Sequence, residues 1–232
     1  ESGEECLSLA SKNRYDVIFL DVMMPGVDGF ETCRRLREQL TNAFTPIAFL
    51  TAFDSIEALA KGFSSGGDAF FTKPVPDVDV TSFIGRLTNT RSNFASLYDN
   101  LDSEEKSRAG AIFNGHLTGP LKAVNFVSKH GSGSSLLKDT GSFEVFDDIS
   151  NLPPGITFQE VVFIIDAVGR EEDGIGLLSR MRSDHRFRRN PIIFACGSEH
   201  TFKALELEAD IVTDGSVPLA VYEPALRRQL RV

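Results

Sequence analysis

Tryptophan is absent from the 232 residues, and cysteine is scarce. Cys6, Cys33 and Cys196 are an odd number without metal-ligand spacing, which excludes a disulfide framework or zinc site as the expectation and leaves reduced thiols in a reducing compartment. No run of more than two Lys/Arg occurs and the formal net charge is −9, so these residues carry no footprint for nucleic acid or an anionic membrane surface. Long apolar runs are missing too. Val17–Met24 is broken by Asp21 and is far short of a membrane span, and no signal-peptide pattern opens the chain. The expectation is a cytoplasmic protein whose partners are proteins. What is present is an ordinary globular mixture, 41% apolar and 25% charged, enough to bury a core in one large domain or two smaller ones. Nineteen phenylalanines are read as core packing rather than as a cofactor box.

From Tyr15 to Pro76, short apolar runs alternate with amphipathic stretches, the pattern of an α/β domain with a parallel sheet. Strands are predicted at Val17–Leu20, Pro46–Thr51 and Ala69–Thr72, and helices at Gly29–Leu40 and Ser55–Phe63. A longer amphipathic segment, Val78–Ser103, reads as a helix that outgrows its domain.

An internal repeat decides the architecture. Val161–Ala195 copies Asp16–Leu50 at a constant offset of 145 residues: Asp21 meets Asp166, Gly29 meets Gly174, Arg35 meets Arg180, Arg37 meets Arg182 and Pro46 meets Pro191. The second copy is decayed at its polar positions. Cys196 stands for Thr51, Arg170 for Pro25 and, after a three-residue deletion, Gly215 for Lys73.

In the first copy each of those polar residues stands at a strand end, where open parallel sheets place their ligand crevice. A carboxylate, a hydroxyl and an ammonium converging there suit phosphoryl transfer, with Asp21 as nucleophile, Lys73 as charge neutraliser and Thr51 as hydrogen-bond donor to a phosphoryl oxygen. Ala52 leaves room beside Thr51, and Pro25–Gly29 supplies a tight loop before the helix.

Asp21-Val22-Met23-Met24-Pro25-Gly26-Val27-Asp28-Gly29-Phe30, Leu50-Thr51-Ala52 and Phe70-Phe71-Thr72-Lys73-Pro74 resemble the receiver domain of bacterial response regulators. The resemblance implies that a histidine kinase or phosphotransfer protein phosphorylates Asp21, that Mg²⁺ assists at Asp21 and the backbone carbonyl of Met23, and that Thr51 and Phe70 rearrange together as a switch. Phe70 replaces the family's frequent Tyr, so a phenol hydrogen bond is lost. It also implies an acidic pair that holds Mg²⁺ on an earlier strand. Here Glu1–Ser11 matches the helix just before the phosphoacceptor strand, so the first strand, first helix and second strand are expected to be missing, and Glu1, Glu4 and Glu5 are poor substitutes for the pair.

The tandem arrangement is similar to the regulatory half of PleD-type diguanylate cyclases, in which the second receiver is a dimerisation adaptor. The expectation is therefore two flavodoxin-like, doubly wound parallel-sheet domains. Residues 1–104 form an N-terminally incomplete receiver with an extended last helix, and residues 105–232 a degenerate adaptor. The chain then acts as a response regulator and homodimer. It carries no catalytic output domain, and its standing as part of an enzyme stays open. The competing class is a scaffold in which neither receiver is phosphorylated. Asp166 is read as a relic, because hydroxyl and ammonium are both lost around it. His116-Leu117-Thr118-Gly119-Pro120-Leu121 is set aside as a phosphorylatable-histidine motif, since Gly119-Pro120 weakens a helix. Ala109–Phe113 is taken as the first strand of the second domain, with Asn114 and Gly115 in place of the acidic pair, and Gly131–Ser135 as a flexible loop.

Overall fold

A computed structural model describes residues 2–39, 41–43, 45–75, 80–81, 83–85, 120–126, 135–138, 140–146, 148–155, 161–188 and 190–230. The chain divides into two compact units, Glu1–Leu117 and Thr118–Arg231. The expected boundary at 104/105, most of the Val78–Ser103 helix and the His116 motif lie outside the described residues.

The first unit is a three-stranded parallel sheet in the order β1-β2-β3, with β1 at Ile18–Leu20, β2 at Ile47–Thr51 and β3 at Ala69–Thr72. Helices α1 (Gly3–Lys12), α2 (Gly29–Glu38) and α3 (Ile56–Ser64) accompany it. Each helix begins at a residue whose side chain accepts from an early backbone N–H: Ser2 from Glu5, Asp28 from Glu31 and Ser55 from Ala58. Acidic residues in the first turn and basic ones in the last complement the dipole of each helix. β2 is buried along almost its whole length, as a central strand of a parallel sheet must be. Phe30, Cys33 and Leu36 of α2 close the core over Ile18, Leu20, Ile47 and Phe49.

The second unit is a five-stranded parallel sheet in the order β5-β4-β6-β7-β8. Its strands are β4 (Leu121–Phe126), β5 (Phe143–Phe146), β6 (Val161–Asp166), β7 (Ile192–Ala195) and β8 (Ile211–Thr213), and its helices α4 (Glu171–Ser183), α5 (Thr201–Glu206) and α6 (Leu219–Gln229). The sequence predicts strands at Phe143–Phe146, Val161–Asp166, Pro191–Ala195 and near Ile211–Val212, and β5, β6, β7 and β8 fall there. The first strand, β4, departs from its prediction. Leu121–Phe126 fills the position expected of Ala109–Phe113, between β5 and β6, while 109–113 lies outside the described residues. The misreading has a physical cause. Ala109–Phe113 is nearly all apolar, whereas Lys122 and Asn125 interrupt β4 and Gly119-Pro120 before it reads as loop. Yet four of its six residues are buried, Asn125 among them.

The repeat extends to the pairing register. Ile18 pairs with Ile47 and Phe163 with Ile192; Ala48 pairs with Ala69 and Ile193 with Ile211. Each pair in the second unit is the offset image of the one in the first, at 145 residues up to β7 and, after the three-residue deletion, 142 at β8.

Candidate functional site

β1 stops before Asp21, β2 ends on Thr51, and Lys73 follows β3, so the parallel register carries all three to the carboxyl edge of one sheet. The Lys73 N–H donates to the Thr51 carbonyl at 2.7 Å, which fixes the lysine's backbone against the strand that bears the hydroxyl. Its Nζ lies 2.5 Å from Asp21 Oδ2, and the Met23 N–H donates to Asp21 Oδ1 at 3.0 Å. Partial burial alone would raise the Asp21 carboxyl. The Lys73 ammonium and the Met23 amide outweigh it and hold the group below its ordinary value, as a carboxylate. Asp21 and Lys73 keep side-chain exposures of 36% and 47%, open enough for a partner to reach them.

Thr51 is fully buried, and its Oγ1 accepts from the Phe53 N–H at 3.2 Å. Phe70, half-buried on β3, packs against Phe49 with ring centroids 5.9 Å apart. Gly62 makes space for it, since a Cβ there would stand 2.8 Å from Phe70 Cδ2. Gly29 is required more strictly, because a Cβ would meet the Asp21 carbonyl oxygen at 2.1 Å. The first turn of α2 therefore presses directly on the backbone of the nucleophile. The Lys73–Pro74 peptide bond is cis.

A hard divalent cation needs about six oxygen ligands. Asp21 brings one carboxylate, main-chain carbonyls such as that of Met23 can add to it, and among the described residues no group of three His, Cys, Asp or Glu side chains forms around Asp21. The described side chains alone do not complete a magnesium site. Glu4 is held elsewhere, with its Oε1 accepting from the Val27 N–H at 3.1 Å.

In the second unit Asp166 ends β6 and is buried, Cys196 follows β7, and Gly215 stands two residues past β8. Burial pushes the Cys196 thiol up to about 11, so it is neither the hydroxyl of Thr51 nor a ready thiolate. Sequence reasoning missed one cluster here. Glu171, Glu199 and His200 bring their ligand atoms within 4.8 Å of one another. The available signal was that Glu171 replaces Gly26 at the 145 offset, placing a charge in what is a bare turn in the first copy.

A parallel α/β unit with an aspartate, a buried threonine and a lysine at its carboxyl edge defines a class. Residues 1–84 match the response regulator receiver domain family, and this part of the chain is a receiver domain of two-component signalling. Across both units the chain is similar to the response regulator PleD of Caulobacter vibrioides, 29% identical over 199 residues that cover 82% of this chain and 43% of PleD. It is 52% identical over 60 residues to the transcriptional regulatory protein SpaR of Bacillus subtilis, covering 26% of each. The chain thus spans less than half the length of these relatives. Among solved structures, it is similar to the receiver domain of the sensor histidine kinase PA1611 from Pseudomonas aeruginosa PAO1, with a magnesium ion coordinated in the active site cleft (25% identity, 38% of this chain and 73% of that one, TM-score 0.37). No helix among the described residues is long and apolar enough to cross a membrane.

Proposed function

We propose that Asp21 accepts a phosphoryl group from a histidine kinase or phosphotransfer protein, and that this changes the conformation or the self-association of a tandem-receiver module. The observation that carries the reading is the ion pair of Lys73 Nζ with Asp21 Oδ2 beside buried Thr51. An Asp21 carboxylate oxygen attacks the phosphorus of a phosphohistidine; an O–P bond forms as the P–N bond breaks, and the imidazole leaves with the electron pair. Lys73 offsets the charge gathering on the phosphoryl oxygens, and the Thr51 hydroxyl turns from Phe53 to donate to one of them. Such a turn frees space that Phe70 follows, a two-state element that phosphorylation biases.

Receiver domains bind Mg²⁺ in their active site. Here Asp21 and the Met23 carbonyl are its proposed ligands, with further oxygen ligands still required. The units are read as residues 1–104 and 105–232, the second as an adaptor for homodimerisation in the cytoplasm, and the module as the regulatory part of a diguanylate cyclase. For the second unit alone, the replacement of Thr51 and Lys73 by Cys196 and Gly215 favours a scaffold without phosphorylation.

The test is phosphorylation of the full-length protein by a cognate kinase or a small phosphodonor with Mg²⁺. Label should map to Asp21, vanish in Asp21→Asn and persist unchanged in Asp166→Ala. Label mapping to Asp166, or undiminished in Asp21→Asn, would overturn the assignment.

A further inference from the structure

At the carboxyl edge of the second sheet, metal-ligating side chains from two loops converge. Glu171 opens α4 after β6, and Glu199 and His200 stand in the short 3₁₀ turn Ser198–His200 that leads from β7 into α5. One carboxylate oxygen from each glutamate and one ring nitrogen of His200 lie within 4.8 Å of one another. Glu171 Oε1 accepts from the Gly169 N–H at 2.9 Å, which steadies the carboxylate over its own loop and leaves it lone pairs for a further ligand. Glu199 folds back over Gly197, where a Cβ would stand 2.7 and 2.9 Å from its two oxygens. Glycine keeps that space for the carboxylate.

His200 supplies an independent observation. Its Nδ1 is buried without a hydrogen-bond partner and lies 3.6 Å from Glu199 Oε1, beyond hydrogen-bond reach. Its Nε2 faces Glu172 Oε1 at 4.0 Å. A metal-bound imidazole divides its nitrogens in this way, one left for the cation and the other directed at a carboxylate that orients the ring. The charge agrees. Among the described residues no Lys or Arg pairs with Glu171, Glu172 or Glu199, whereas Asp173 is taken by Arg170. The N-terminus of α4 opposes a cation with about half a charge, and the carboxylates of Glu171, Glu172 and Glu199 more than offset it. Zinc bonds of about 2.1 Å set neighbouring ligand atoms roughly 3.4 Å apart, so the cluster has to close by about 1 Å. Glu199, with 69% side-chain exposure, is free to make that movement.

We propose that Glu171, Glu199 and His200 bind a divalent transition-metal ion, Zn²⁺ by the chemistry of the donors, and that the ion ties the loop after β6 to the loop after β7. An imidazole with two carboxylates suits zinc and leaves its fourth position to water, whereas Mg²⁺ takes oxygen ligands. The site is private to the second unit, since the 145-residue offset puts Gly26, Val27, Asp54 and Ser55 in the places of Glu171, Glu172, Glu199 and His200. It is distinct from the magnesium ligands proposed at Asp21 and does not depend on phosphorylation there. The cysteine pattern carries no sign of it, because none of its donors is a thiol.

Calorimetric titration of the tag-free, metal-free full chain with Zn²⁺ tests the site. One ion should bind per chain, remain bound in a large excess of Mg²⁺ and bind equally well to Asp21→Asn. Affinity should fall by about 100-fold in His200→Gln and in Glu171→Gln, at least as much as the loss of an outer-shell partner costs. Thermal melts without metal check that each variant folds, and Zn²⁺ should raise the melting temperature of the wild type but of neither variant. Co²⁺ in place of Zn²⁺ should show no sulfur-to-metal charge transfer. Unchanged affinity in both variants, displacement by Mg²⁺, or a charge-transfer band that puts the ion on a cysteine overturns the proposal and leaves an adventitious ion only.

Discussion

Arg37 and Arg182 sit at the same place in the two units, and their surroundings match almost bond for bond. Arg37 donates to the carbonyls of Ala43, Thr45 and Gly66 and to Asp68 Oδ2, which in turn accepts from the Ile47 N–H. Arg182 donates to the carbonyls of Arg188, Asn190 and Glu208 and to Asp210 Oδ2, which accepts from the Ile192 N–H. This clamp joins the end of one helix to the starts of two strands, at the edge of the sheet away from Asp21. At the other edge, the hydroxyl and ammonium of the first unit are replaced in the second by a thiol and a glycine. Scaffold and site are therefore separable in this fold. The polar network that pins helix to strands is the same in both units, while the site at the other edge differs.

The strongest way to break the comparison is to cut both clamps. Arg37→Ala leaves Asp68, 2% exposed, as an uncompensated buried charge and should cost about 3–5 kcal/mol. Arg182→Ala leaves Asp210 at 29% exposure, where water can reach it, and should cost less, about 2 kcal/mol. Urea unfolding of each variant checks both; equal losses would show that the clamps are not graded by burial.

A smaller effect sharpens it. Gly66 has φ +106° and its counterpart Glu208 φ +64°, so the second unit keeps a left-handed turn without the glycine. Glu208→Gly should stabilise the second unit by about 1 kcal/mol. Gly66→Ala should destabilise the first by at least that much, because its Cβ would also meet Arg37 Cγ at 2.7 Å. Thermal melts of the two variants should move in opposite directions.

The smallest expected effect is at Asp21, whose carboxyl lies below its ordinary value in the folded protein. Stability from the Lys73 pair is then present above the unfolded carboxylate pKa and is lost as pH falls through the folded one. Solvent screening limits it to about 1 kcal/mol or less. Melting temperatures of wild type and Lys73→Ala should differ at pH 7 and converge in acid; a difference that persists in acid would mean Lys73 stabilises by packing rather than by charge.

Much of this was legible in the residues. The offset found β6, β7 and α4 because strand and helix periods are local, and Asp21, Thr51 and Lys73 declared themselves by standing at strand ends. The clamp was visible only as matched arginines: nothing local says that Arg37 turns inward to three carbonyls, since an arginine late in a helix more often meets solvent and the dipole. β4 was missed because burial between two strands overrode the polar Lys122 and Asn125.

Gly62 and Phe70 in the first unit correspond to Ala204 and Val212 in the second. A Cβ at Gly62 would come within 2.8 Å of the aromatic edge, so a methyl there requires the ring or the helix to give way. Glycine stands with the ring in the first unit, and alanine, buried in the core, stands with valine in the second. Helix and strand share one allotment of volume at this spot, and Val212→Phe alone would overfill it in the second unit.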